Sequence, residues 1–129
     1  PPRSTLFPYT TLFRSEDFME KLKFILQSDG VDAINREVNY YIKDNVIKFK
    51  IDKTLYEYDL NKDVLKKSDE NLLTMDFLNP LIMLTLKENN YSFDIPIFNV
   101  LIEKEEHIIK ISYDIEEDKM TNKRIIIEY

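Results

Sequence analysis

The chain has 129 residues, with 18 Lys and Arg against 24 Asp and Glu for a net charge of −6. That length fits one domain with a core of its own, and 43% hydrophobic with 33% charged residues excludes both a disordered tail and a membrane bundle. There is no cysteine and a single histidine, His107, which excludes disulfides, a thiolate nucleophile and a Cys/His zinc site. The longest apolar run, Phe77 to Leu86, is interrupted by Asn79 and Pro80 and is about half of what a spanning helix needs. No membrane partner and a cytoplasmic location are expected.

Residues 1–15, PPRSTLFPYTTLFRS, differ in composition from everything after Glu16. All fifteen back-translate without a break onto adapter DNA of the kind used in short-read sequencing. The run is therefore read as a translated artefact and set aside before any fold reasoning. An adapter joined in frame implies a read that begins inside a gene, so residues 16–129 are expected to form one domain whose native N-terminus lies further upstream. Without Arg3 and Arg14 the remainder carries 16 basic residues against 24 acids, a net of −8. Its wealth of Ile, Lys, Asn and Tyr, with Gly30 as the one glycine, matches AT-rich codon usage of the kind found in low-GC bacteria and their phages.

In chain order, Phe18, Leu22, Ile25 and Leu26 have the three-and-four spacing of an amphipathic helix over 17–27. Ser28-Asp29-Gly30 reads as its end and as the cap of a second helix. That helix is striped by Val31, Ile34, Val38, Tyr41 and Ile42 and ends near Asn45. The period then changes to two. Ile47, Phe49 and Ile51 alternate with lysines, and Tyr56, Tyr58 and Leu60 alternate with Glu57 and Asp59, predicting a hairpin turned at Asp52-Lys53. Residues 61–71 read as a polar connection. Asn79 as cap and Pro80 at the first helical position predict a buried helix over 80–88. Three strand-like runs follow: 91–103 broken at Pro96, 107–116 with Ile109, Ile111, Tyr113 and Ile115 on one face, and 124–129 with Ile125, Ile127 and Tyr129.

The expected fold class is therefore α+β: two N-terminal helices and one buried helix packed on a mainly antiparallel sheet. The similarity between 46–52 and 108–114 is read as common strand patterning, not duplication.

Chemistry is sparse. His107 could serve a Ser/His/Asp arrangement with Ser92 or Ser112 and Asp94 or Asp114, but no glycine is placed to make a nucleophile elbow or a phosphate cradle. His107 is expected at the exposed start of a strand. Strand alternation would put Asp114, Glu116 and Asp118 on one side, a set able to hold Mg²⁺ or Ca²⁺; their place at a solvated hairpin end, with no glycine for a calcium loop, favours plain surface acids. Lys48 and Lys50 beside Tyr56 and Tyr58 resemble a base-stacking platform, which the net negative charge opposes. No nucleic-acid partner, cofactor, metal site or catalytic residue is expected.

Acidity is the one global feature with functional content, because a negative potential speeds encounter with a basic partner. The expected function is a small non-enzymatic protein-binding module, of immunity, antitoxin or inhibitor type, docking on a basic protein. Its candidate steering residues are Glu57, Asp59, Glu116 and Glu117. The alternative is a C-terminal fragment of a larger enzyme or defence protein whose catalytic part lies upstream.

Overall fold

The computed structural model describes residues 20–115 and 122–129, and no helix occurs among them. Eleven strands account for about three quarters of these residues: β1 (Lys21–Ser28), β2 (Val31–Lys43), β3 (Val46–Ile51), β4 (Thr54–Asp59), β5 (Val64–Ser68), β6 (Asn71–Asp76), β7 (Leu81–Leu86), β8 (Tyr91–Pro96), β9 (Phe98–Glu105), β10 (Ile108–Asp114) and β11 (Asn122–Glu128). They form one antiparallel sheet in the order β8-β7-β6-β5-β4-β3-β2-β1-β11-β10-β9.

Closure follows from that order. With every neighbour antiparallel, direction alternates along the eleven positions, so β8 at one end and β9 at the other run the same way. Only Ile97 lies between them, and it is buried. β8 and β9 are thus two halves of one bent strand, the first paired with β7 and the second with β10. Counted this way ten strands go round the barrel, an even number, as an all-antiparallel closed ring requires.

The opposite corner is built in the same manner. β2 pairs through Val31–Asn39 with β1 and through Tyr40–Lys43 with β3. The barrel is therefore flattened into two half-sheets that share a long bent strand at each corner, and it is splayed where β2 has left β1's side unmatched by β3. Arg36 and Asp52 bridge that splay with a 3.6 Å contact between exposed side chains.

The inward face is apolar. Leu22 and Phe24 of β1, Ile47 and Phe49 of β3, Tyr56 and Tyr58 of β4, Ile109 and Ile111 of β10, and Ile125 and Ile127 of β11 are all buried. Phe24 lies 5.1 Å from Phe49 and 5.0 Å from Tyr56, ring centre to ring centre, and so joins one half-sheet to the other. Phe49 and Tyr56 are themselves stacked at 5.0 Å.

Two expected features stand as read: the hairpin turned at Asp52-Lys53, and the inward Ile109, Ile111, Tyr113, Ile125 and Ile127; Ile115, expected on the same face, is exposed beyond the end of β10. The helices do not. Residues 17–27 were expected helical because Leu22, Ile25 and Leu26 mimic a helical stripe, yet Leu22, Phe24 and Leu26 alternate with Lys21, Lys23 and an outward Ile25 as β1. The second expected helix is β2, whose apolar residues look helically spaced because a corner strand bends and changes partner. The expected helix over 80–88 is instead the strand β7 with turn residues at either end; Pro80 stands in the β6–β7 turn, where Asp76 accepts the N–H groups of Leu78 at 3.1 Å and Asn79 at 3.0 Å. The expected polar connection 61–71 contains β5 and the first residue of β6. The fold is all-β, and the α+β expectation is overturned. Phe18 and residues 1–15 lie outside the described residues.

One glycine suffices for these turns because Asp and Asn adopt the left-handed conformation in its place. Asp29 and Gly30 (φ 53° and 81°) turn β1 into β2, and Asp44 and Asn45 (φ 54° and 64°) turn β2 into β3.

Truncation of Ile111 or Ile127 to Ala is expected to cost roughly 2–5 kcal/mol, since each loses buried methylenes and leaves a cavity, whereas Ser112→Ala on the outward phase costs under about 0.5 kcal/mol. Urea midpoints measured by far-ultraviolet circular dichroism check the order; a larger shift for Ser112→Ala would mean the strand faces the other way.

Candidate functional site

The expected steering acids do not come together as a bare acidic face. Glu57 lies between Lys48 and Lys66 across neighbouring strands, and its carboxylate is 3.3 Å from the Lys48 ammonium. Asp59 ends β4 and accepts the backbone N–H groups of Asn61 at 2.9 Å and Lys62 at 3.0 Å. The Lys62 bond first, and then the Asn61 bond with the nearby lysine charges, holds its carboxyl below the usual range. Glu57 and Asp59 share an outer groove with Lys48, Lys62 and Lys66, so the local balance is cationic. Glu116 and Glu117 lie outside the described residues, as does Asp118.

His107 stands in the β9–β10 turn with φ 64°, largely exposed, its ring edge-on to Tyr129 at 5.3 Å. Tyr56 and Tyr58 point into the barrel, away from any platform with Lys48 and Lys50. Asp114 is buried; its Oδ2 accepts from the Asn99 amide at 2.9 Å, while Oδ1 has no hydrogen-bond partner among the described residues. Among the described residues no group of three or more His, Asp or Glu side chains is arranged to hold a metal ion, and no helix is long and apolar enough to cross a membrane.

Inside the barrel two places depart from plain hydrophobic packing. At one end, Lys104 of β9 follows Val100 and Ile102 on the inward phase and reaches the β4–β5 connection. Its ammonium lies 2.6 Å from Asp63 and donates to the Leu60 carbonyl at 3.2 Å. The Tyr58 hydroxyl donates to the same Asp63 oxygen at 2.8 Å. Asp63 is itself buried with φ 53°. A carboxylate taken out of water is thus met by a cation and a phenol, the condition under which its burial is tolerated. This cluster closes that end.

The other end is lined differently. Ser28, Lys67 and Lys123 lie there, at a cavity of about 240 Å³ between the half-sheets. Its wall is apolar: Phe24 and Leu26 from β1, Leu65 from β5, Leu73 and Met75 from β6, and Ile125 from β11. Among the described residues three other grooves are larger, about 530, 380 and 380 Å³, and each is edged by charged side chains. A mostly apolar hollow with a few polar groups at its rim is an arrangement that holds small molecules, and a barrel interior is a common place for it.

Strand phase explains why the lysines are at this rim. Lys67 stands two residues after the inward Leu65 and pairs across the ladder with Tyr56 and Leu73. Lys123 stands two residues before the inward Ile125, and its ammonium donates to the Ser28 hydroxyl at 2.6 Å. Sequence reasoning passed over both. The signal was present in Leu65-x-Lys67 and Lys123-x-Ile125-x-Ile127, a lysine on the apolar phase of a strand. It becomes visible only when 61–71 is read as strand and β11 is begun before Arg124.

Tyr113 also lines the cavity, and burial pushes its phenol up to about 12. Tyr58 is raised further, by burial first and then by its bond to Asp63. Burial raises Tyr40 and Tyr56 as well.

No family model, curated protein or solved structure matches the chain.

The raised phenols fix a pH dependence. A phenol whose pKa is higher folded than unfolded contributes stability that is intact below the unfolded value, near 10, and is lost as pH rises through the folded value. Stability is therefore expected to be unaffected by these tyrosines below pH ~10 and to fall between there and about 12 for Tyr113. Ultraviolet difference titration of phenolate, run beside denaturant melts, checks this. Ionisation of Tyr113 near pH 10 in the folded protein, with Tyr113→Phe as the reference, would contradict it.

Proposed function

We propose that this protein is a non-enzymatic binding protein that holds a small apolar molecule inside its barrel. The observation that carries the reading is the interior cavity of about 240 Å³, walled by aliphatic and aromatic side chains from both half-sheets. Fully packed interiors of this size hold few voids larger than a water molecule. A hollow this large forfeits dispersion contacts that side chains could have made, and a bound molecule restores them. The volume is above the ~150 Å³ known to take a benzene-sized guest and below the range for drug-sized ligands, so the occupant is small.

A second reading, docking of a basic protein, has its support elsewhere on the surface than at Glu57 and Asp59. On the outer face Glu105 and Glu128 flank Ile108 on one rung from the two neighbouring strands, with Glu103 opposite Lys110 on the next outward rung and Glu106 in the turn. Acids outnumber bases there. An encounter guided by this patch would be slowed by salt and by charge reversal at Glu105 and Glu128 more than at Glu57.

The cavity reading is tested with 1-octanol, a neutral molecule of suitable size, titrated into protein with labelled methyl groups. Saturable binding is expected, with the largest shifts at Leu26, Leu73 and Ile125. No saturation up to the solubility limit, or shifts confined to exposed apolar residues such as Met83 and Leu101, would overturn it.

A further inference from the structure

We propose that the cavity's ligand is an amphipathic monoanion, a small carboxylate with an apolar tail, whose head is held by Lys67 and Lys123. The inference rests on the cavity reading above and adds the charge. The residues that line the hollow include two ammonium groups and two phenols but no carboxylate. In a chain with 24 acids to 18 bases, a cavity that collects only cations runs against the overall balance.

Neither lysine forms an ion pair with a described residue. Among the described residues Lys123 donates to the Ser28 hydroxyl, and Lys67 interacts with the Asp69 charge through space without direct contact. Both side chains are half-buried and emerge from the inward phase of their strands, next to Leu73 on one side and Tyr113 on the other. A half-buried ammonium without a counter-ion carries a desolvation cost that an incoming anion offsets. Lysine, a compact charge with three donors on a flexible stem, can follow a carboxylate of varied placement. Beyond the lysines the lining is mostly apolar, with Leu26, Leu65, Met75 and Ile125 outweighing the polar groups of Gln27, Ser28, Tyr56 and Tyr113, so the remainder of the ligand is mainly hydrocarbon. The volume, about half again that of a benzene-sized site, suits a medium-chain or phenyl-substituted carboxylate.

Octanoate and 1-octanol, alike in tail and different in head, separate the two claims. By calorimetry at matched salt, octanoate is expected to bind at least about tenfold more tightly, the worth of one charge-assisted hydrogen bond. In Lys67→Met and Lys123→Met that preference, taken as the ratio of the two affinities within each variant, is expected to shrink toward unity, with an unchanged far-ultraviolet circular dichroism spectrum reporting an intact barrel. Lys67→Arg is expected to keep most of the preference. Equal affinity for the two probes, or an octanoate preference untouched in both Met variants, overturns the anion inference and leaves the cavity reading standing. Absence of binding by either probe removes the cavity reading and this inference with it.

Discussion

Everything in this structure depends on a single constraint: the sheet's apolar face can be buried only by the same sheet. Among the described residues there is no helix to lie across it. The chain meets the constraint by curling until β1 pairs with β11, and by carrying one bent strand, β8 continued as β9 through Ile97, across the remaining corner. The rings of Phe24, Phe49 and Tyr56 then meet in the interior, and the two half-sheets hold each other in place.

Closure also decides what the two ends can do. Around a flattened barrel the side chains of opposite half-sheets fill the middle, and the ends differ according to what the inward phase supplies there. At one end the inward phase supplies Lys104, which finds Asp63 and, through it, Tyr58; the end is shut by a satisfied polar cluster. At the other it supplies Lys67 and Lys123, neither in an ion pair with a described residue, beside the cavity. The same device, a lysine on the apolar phase, gives a lock at one end and a proposed receptor at the other.

How much of this was legible follows from how cleanly each strand alternates. The hairpin 46–59 and the strands of the C-terminal third could be read because Ile47, Phe49, Ile109, Ile111, Ile125 and Ile127 keep period two without interruption. β1 was misread because Ile25 is apolar on the outer face, where it faces Ile126, and so completes a false helical stripe with Leu22 and Leu26. β2 was misread because a corner strand changes partner midway and is half-exposed along its length. The turn chemistry held the correction: Asp29-Gly30 between two apolar runs is a strong hairpin signal, and it was read as a helix end. Among candidate site residues, Glu57 and Asp59 were legible as strand acids, but not their neutralisation by Lys48, Lys62 and Lys66, which depends on register. The cavity lysines were illegible until β5 was known to be a strand.

The central claim is that the sheet closes on itself, and nuclear Overhauser contacts test it most directly. The account predicts backbone contacts between Phe24 and Ile127 and between Ile25 and Ile126, joining the first and last strands, together with contacts from Ile95 to Ile82 and from Ile102 to Ile111 on either side of Ile97. Sequential amide contacts of helical type over residues 21–43 or 80–88, without contacts between β1 and β11, would contradict it.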